Sequence, residues 1–143
     1  MPLQEQNCIE KINSFSKLDW KTLLDLIPII EHKMSFYENG KRKIDESSWT
    51  FMAYYEPDET ISQFLHVVYD MPIIISFDWP KWDEGRKMAR DEDFNFDTVD
   101  IPTKCKLITA IVRNDRFCDG ALFNTFKSGM MLKILKSIER QLT

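Results

Sequence analysis

The stretch from Arg113 to Gly120 concentrates the groups that could do chemistry, in the order Arg-Asn-Asp-Arg-Phe-Cys-Asp-Gly. Arg113 and Arg116 are three residues apart, and each offers a permanently charged, planar fork of donors that suits a phosphate or a carboxylate. Asp115 and Asp119 are four residues apart and could pair with these arginines or transfer protons. The stretch is therefore a candidate site for a small anionic ligand.

The same residues also fit a structural role, which is the favoured interpretation. An internal network in which Arg116 pairs with Asp119 or with another acid would fix the corner between two helices, because buried arginines are usually paired. Asp119 would also occupy the start of the second helix as its N-cap. Aspartates beside arginines stay ionised, which suits pairing better than proton donation. Both alternatives stay open at the level of the sequence.

Trp79 and Trp82 form a second candidate feature within the segment Asp78-Trp-Pro-Lys-Trp-Asp-Glu84. An aspartate cap, an early proline and acidic residues in the first turn are typical of a helix start. The two tryptophans would then share one face of that helix. They would either anchor the core, which is favoured, or form an aromatic wall for a planar ligand.

The elements that must position these residues are predicted from the apolar pattern, which recurs at three- and four-residue steps and indicates a mainly α-helical fold. A single domain over residues 1–143 is expected, with about six helices and at most one small two-stranded pairing between residues 49–55 and 73–77. Residues 91–100 are interpreted as an acidic, solvated linker that Phe94 and Phe96 hold against the protein. Asp19 is predicted to be the N-cap of a helix that is interrupted at Pro28 and ends at Asn39-Gly40. Further helix starts are predicted at Pro57-Asp58-Glu59, Pro102, Asp119 and Met130.

Charge is distributed unevenly along the chain, although the formal net charge is only −4. Residues 1–102 hold 11 basic and 20 acidic groups, and residues 103–143 hold 8 basic and 3 acidic groups. The favoured interpretation is that basic C-terminal helices dock on the acidic remainder, and the alternative is a modest anion-binding surface. Strong nucleic-acid binding is not expected, because the basic residues are spread along helices of an acidic protein.

Missing motifs exclude the commoner cofactor-dependent and metal-dependent classes. The sequence has no glycine-rich phosphate loop, no Gly-x-Ser-x-Gly elbow and no Cys-x-x-Cys pair, so no cofactor is predicted. His32 and His66 are isolated from each other, and a histidine-based metal site is not expected. No apolar run is long enough to cross a membrane, no secretory signal is recognised, and the three cysteines fit a reducing compartment. A cytoplasmic location is therefore predicted, with no particular oligomeric state.

Three segments together resemble a family of small bacterial proteins that is classed only as a domain of unknown function. They are Phe77-Asp-Trp-Pro-Lys-Trp82, the segment from Leu107 to Leu122, and Gly129 with Ile134-Leu135. The resemblance covers about residues 50–140, and the Arg-x-Asp-Arg-Phe-x-x-Gly portion is its most specific part. It implies a small, soluble, predominantly helical domain, and it implies no activity, substrate or cofactor.

The sequence therefore favours a non-catalytic interaction or regulatory module that binds another protein or a small anionic ligand. The alternative is a small metal-independent enzyme that acts on a phosphorylated or nucleotide-like substrate. In that alternative Arg113 and Arg116 would clamp the substrate, Asp115 would act as acid or base, and Trp79 and Trp82 would stack on it. The enzyme requires a concave pocket in which Arg113, Asp115 and a tryptophan converge.

Overall fold

The computed structural model describes residues 3–33, 41–44, 53–56, 58–115 and 120–143. Within these ranges the chain forms eight α-helices, two short 3-10 turns and one hairpin. The helices are α1 (Leu3–Asn13), α2 (Lys17–Leu24), α3 (Leu26–His32), α4 (Glu59–Asp70), α5 (Asp83–Arg90), α6 (Ile101–Asn114), α7 (Ala121–Lys127) and α8 (Met130–Leu142). The 3-10 turns are Trp79–Lys81 and Phe96–Thr98. The mainly α-helical prediction is confirmed, with more helices in the described ranges than the six expected.

The core forms around α8, which contacts α2, α3, α6 and α7. Residues predicted to point inward from α6 and α8 are buried, and they are Cys105, Ile108, Ile111, Val112, Met131, Ile134, Leu135 and Ile138. Leu142, at the end of α8, is half-buried against the same core. Each fully buried aliphatic side chain contributes about 1.5 to 3 kcal/mol. The three- and four-residue spacing of these side chains therefore explains why the C-terminal helices pack as they do.

Pro28 explains the break between α2 and α3. A proline ring clashes with the carbonyl of the residue four positions earlier, which here is Leu24. Leu24 is the last residue of α2, and Asp25 serves as the cap residue of both helices. The predicted interruption is confirmed. The predicted continuation to Asn39-Gly40 is wrong in its first part, because α3 ends at His32, and residues 34–40 lie outside the described ranges.

The hairpin joins β1 (Lys41–Ile44) to β2 (Ala53–Glu56) in an antiparallel register that pairs Lys41 with Glu56. The predicted strand over residues 49–55 overlaps β2, but its predicted partner at residues 73–77 is wrong. A hairpin partner that is close in sequence costs less loop-closure entropy than a distant one. Residues 45–52 lie outside the described ranges.

Residues 73–77 belong to no helix and no sheet among the described residues. Ile73 and Ile75 are buried, which explains the β-branched pattern that suggested a strand. The backbone N–H of Ile75 donates to the Oγ1 atom of Thr109 on α6, at 3.0 Å. A side chain of a neighbouring helix thus satisfies this backbone group in place of a β ladder.

Ser16, and not Asp19, is the N-cap of α2. The Ser16 hydroxyl accepts from the backbone N–H of Asp19, and the Asp19 carboxylate accepts from the backbone N–H of Ser16. This reciprocal pair is a capping box, in which an acidic residue normally stands three positions after the cap. The predicted helix start was therefore three residues late, because Asp19 suits either position.

Among the described residues, three ion pairs join the basic C-terminal helices to acidic residues earlier in the chain. They are Lys106 with Glu5, Lys136 with Glu31, and Arg140 with Asp97, at nitrogen-to-oxygen distances of 2.8, 2.9 and 3.1 Å. The predicted docking of a basic C-terminal part on an acidic remainder is confirmed at these contacts. Phe96 is buried, as predicted for residues 91–100, but this segment is more than a solvated linker because α8 binds Asp97.

Candidate functional site

The corner predicted as the candidate site lies between the end of α6 and the start of α7. Arg113 and Asp115 are half-buried there. Arg116 and Asp119 lie outside the described ranges, which resume at Gly120. The structure therefore locates one arginine and one aspartate of the predicted set.

Asp115 stabilises the start of α7. Its Oδ1 atom accepts a hydrogen bond from the backbone N–H of Leu122, at 3.1 Å. The cap position itself is held by Gly120, whose φ of 88° is left-handed and which has no side chain to act as acceptor. The prediction that Asp119 is the N-cap is therefore wrong. A carboxylate from the end of α6 satisfies the first turn of α7 instead.

The side chain of Arg113 forms no hydrogen bond or ion pair with any residue in the described part of the chain. Its role as a ligand-binding group therefore stays a prediction. Neither Arg113 nor Asp115 lines the groove that lies beside this corner, although Asn114 between them does.

This groove, called here the tryptophan groove, has a volume of about 410 Å³. It is enclosed by the 3-10 turn Trp79–Lys81, by α5, α6 and α7, and by the start of α8. Its aromatic and apolar lining consists of Trp79, Trp82, Gly85, Ala89, Leu107, Ala110, Ile111, Ala121 and Met130. Its polar lining consists of Arg86, Asn114, Asn124, Thr125 and Ser128. The volume lies within the range of small-molecule pockets, which is about 300 to 1,000 Å³.

The two tryptophans meet in this groove but do not share a helix face as predicted. Trp79 begins a 3-10 turn, and Trp82 lies between that turn and α5. The helix starts at Asp83, later than the segment suggested, because Asp78 makes no capping hydrogen bond. Both rings are half-buried, so each combines packing against the protein with a surface that faces the groove.

Three neighbours hold the Trp82 ring. The Phe77 ring meets it edge to face with centroids 5.5 Å apart. The Lys106 Nζ atom lies 5.0 Å from the Trp82 centroid. Gly85 packs against the ring so closely that a Cβ atom at this position would lie 2.2 Å from Trp82 Cε3. The position of the Trp82 ring is therefore fixed by packing against Phe77, by the Lys106 ammonium and by the lack of a side chain at Gly85.

Arg86 is the charged residue of the groove, among the lining residues that the structure describes. Its guanidinium donates to the backbone carbonyl of Pro80 and lies 3.4 Å from an Asp83 carboxylate oxygen. The side-chain amides of Asn114 and Asn124 form no hydrogen bond within the described ranges. These three residues therefore have donors available at the groove.

The chemistry of this lining suits recognition. Tryptophan faces stack on planar groups, a guanidinium binds carboxylate or phosphate, and amide groups bind polar ring edges. The described lining contains no carboxylate, histidine or cysteine that could transfer a proton or attack a substrate.

Sequence reasoning identified the tryptophans but missed Arg86, Asn114 and Asn124 as groove residues. Arg86 follows Trp82 by four residues, and this spacing places two side chains on the same side of a helix. That signal was available in the sequence. No local signal connects Asn124 with Trp79, because only the packing of α7 and of the 3-10 turn Trp79–Lys81 against α6 brings them to one groove.

Lys104 of α6 is a further residue that sequence reasoning missed. It is 0% exposed, and its Nζ atom forms no hydrogen bond with any described residue. Burial lowers the pKa of Lys104, although the nearby Asp97 carboxylate opposes this effect. Hydrogen bonds from Ser137 and Arg140 in turn lower the pKa of the Asp97 carboxyl. A buried ammonium without a hydrogen-bond acceptor reduces stability.

We expect Lys104→Met to raise the free energy of unfolding at neutral pH by about 1 kcal/mol, because it removes an unsatisfied buried donor. The lysine pKa is lower in the folded state than its usual value of 10.5, so the unfolded state binds this proton more readily. Stability of the wild type should therefore rise as the pH approaches 10.5, and this part of the rise should vanish in the variant. Urea unfolding at neutral and alkaline pH measures both effects, and an unstable variant would contradict the interpretation.

No group of histidine, cysteine, aspartate or glutamate residues within the described ranges is arranged to hold a metal ion. Among the same residues, no helix is both long enough and apolar enough to span a bilayer.

The fold and the groove define a small, mainly α-helical protein with one concave, tryptophan-lined face. Residues 15–143 match the family described as "Family of unknown function (DUF6508)". The chain therefore belongs to the DUF6508 family, and the resemblance to a family of unknown function is confirmed. Comparison with curated proteins and with solved structures gave no match.

Proposed function

We propose that this protein is a non-catalytic binding module of the bacterial cytoplasm whose tryptophan groove takes a small anionic ligand with a planar group. The observation that carries the proposal is the meeting of Trp79, Trp82 and Arg86 in one groove of about 410 Å³. We place the ligand in this groove and assign a structural role to the neighbouring corner at Arg113 and Asp115.

Two interactions would provide most of the affinity. Stacking of a planar group on an aromatic side chain contributes about 1 to 3 kcal/mol. A hydrogen bond to a charged group such as Arg86 contributes about 1.5 to 3 kcal/mol. Asn114 and Asn124 would add orientation, because an amide offers both donors and an acceptor to a polar ring edge.

The binding role is favoured over the alternative of a small metal-independent enzyme acting on a phosphorylated or nucleotide-like substrate. That enzyme requires Arg113, Asp115 and a tryptophan in one concavity, whereas neither Arg113 nor Asp115 lines this groove. Asp115 is also engaged with the backbone of α7.

We expect a thermal-shift screen against nucleotides, phosphorylated metabolites, aromatic carboxylates and dicarboxylates to find an anion with a planar group that stabilises the protein. A ligand at one hundred times its dissociation constant adds about 2.7 kcal/mol to the free energy of unfolding. The shift should be abolished by Trp79→Ala and strongly reduced by Arg86→Ala, because these changes remove the stacking surface and the charged donor.

Arg113→Ala is the matched control, since it removes an equally charged side chain near the groove but outside its lining. We expect this variant to keep the ligand-induced shift. A shift that Arg113→Ala abolishes and Arg86→Ala preserves would instead place the site at the corner. The absence of a shift with every compound would contradict a small-ligand function altogether.

A further inference from the structure

Lys106 of α6 contacts the tryptophan wall from outside the groove. Its Nζ atom lies 5.0 Å from the centroid of the Trp82 ring and 4.6 Å from that of Phe77. Trp82 lines the groove, whereas neither Lys106 nor Phe77 is among its described lining residues. The Trp82 ring therefore contacts a cation of its own chain, whether or not a ligand is bound.

Glu5 of α1 holds this cation in place. Its Oε1 atom lies 2.8 Å from Lys106 Nζ, and the two side chains are only 9% and 18% exposed. A pair so well sheltered is screened little by salt, and the ammonium has little freedom to leave the ring. The helix that contributes Glu5 precedes residues 15–143, the part of the chain that matches the family. This contact is thus made by a segment outside the matched region.

The Lys106 ammonium changes which charge of a ligand the Trp82 ring favours. A cation is attracted by the negative face of an aromatic ring, and it draws electron density toward itself. The ring surface available to a ligand is then less negative than that of a tryptophan without such a neighbour. The Glu5 carboxylate offsets the charge of the Lys106 ammonium for groups that are farther away. The effect of the ammonium is therefore strongest on the Trp82 ring that it contacts.

We propose that Lys106 is a specificity-determining residue of the tryptophan groove, which makes Trp82 favour anionic planar groups and reject cationic ones. Aromatic walls commonly bind organic cations, and this wall already has one from its own chain. Arg86 acts in the same direction from the groove itself. The inference rests on the proposed function, because it concerns the ligand of the same groove.

Indole-3-acetate and tryptamine test the inference, since they carry the same ring and opposite charges. We expect the wild type to bind indole-3-acetate more tightly in an NMR titration. Lys106→Met keeps most of the side-chain volume and removes the charge, so it should shift the ratio of the two dissociation constants toward tryptamine by about two- to fivefold. Lys106→Arg keeps the charge and should preserve the wild-type ratio.

Lys136→Met is the matched control. Lys136 of α8 also pairs with a glutamate of another helix, Glu31 of α3, at 2.9 Å, but it does not line or contact the groove. This variant should leave the ratio unchanged. If Lys106→Met does not fold, Lys106→Gln provides the same neutral comparison. An unchanged ratio in the neutral variant overturns the inference alone. Binding of neither indole probe by the wild type overturns it as well, and the wider ligand screen then decides whether the proposed function fails with it.

Discussion

Asp58→Ala should lower the free energy of unfolding by about 2 to 4 kcal/mol, because it removes a helix cap and the buried carboxylate of a part-buried ion pair. The Asp58 side chain is 0% exposed, and its Oδ1 atom lies 2.7 Å from Lys33 Nζ. The same oxygen accepts from the backbone N–H of Thr60 at 2.9 Å and so caps α4. One substitution therefore removes a cap and the carboxylate that compensates the Lys33 ammonium.

Two comparisons separate these contributions when unfolding is followed by urea titration. Asp58→Asn keeps a side-chain oxygen for the cap but loses the charge, so its loss should be smaller than that of Asp58→Ala. Asp25→Ala breaks an exposed pair with Lys21 of similar length, 2.8 Å, and should cost less than about 1 kcal/mol. Equal losses for Asp25→Ala and Asp58→Ala would contradict the importance of burial.

Gly85→Ala should lower the free energy of unfolding by about 1 to 3 kcal/mol and weaken ligand binding, which reverses the usual effect of this change. Alanine in place of glycine within a helix normally stabilises by about 0.5 to 1 kcal/mol. Here the new Cβ atom would lie 2.2 to 2.8 Å from three atoms of the Trp82 ring. The ring must move, and Lys106 and Phe77 occupy the space beside it.

A double-mutant cycle shows whether the ring is the cause. In a Trp82→Leu background the overlap is removed, so the same Gly85→Ala change should become neutral or stabilising. The free energies of unfolding of the four proteins give the coupling directly. A loss of equal size in both backgrounds would show that Gly85 is needed for a reason other than its contact with Trp82.

Local pattern and local chemistry were sufficient for much of the fold. The spacing of Ile134, Leu135 and Ile138 identified the buried face of α8, and Asp58 was recognised at the start of α4. Pro28 marked the break between α2 and α3. Each of these features depends on residues within one or two helical turns, where side-chain direction and backbone chemistry follow from the sequence.

Where more than one nearby residue could cap a helix, the choice made from the sequence was less reliable. Asp19 and Asp119 are both good caps by residue type, yet Ser16 and Gly120 hold the cap positions. In the second case the acceptor is Asp115, which reaches across the turn to the backbone of Leu122. Residue type alone does not reveal that the carboxylate of Asp115, seven residues before Leu122, reaches the first turn of α7.

The sequence by itself determined the helical class, most of the buried faces and the presence of two tryptophans with a possible role in binding. Only the tertiary structure decided that Trp79 meets Asn124 in one groove, while Asp115 serves a helix end. It also decided that the backbone N–H of Ile75 donates to Thr109 of α6 and not to a strand. The physical reason is the same throughout: periodicity fixes which face of a helix is apolar, whereas the contacts between faces depend on how distant helices pack together.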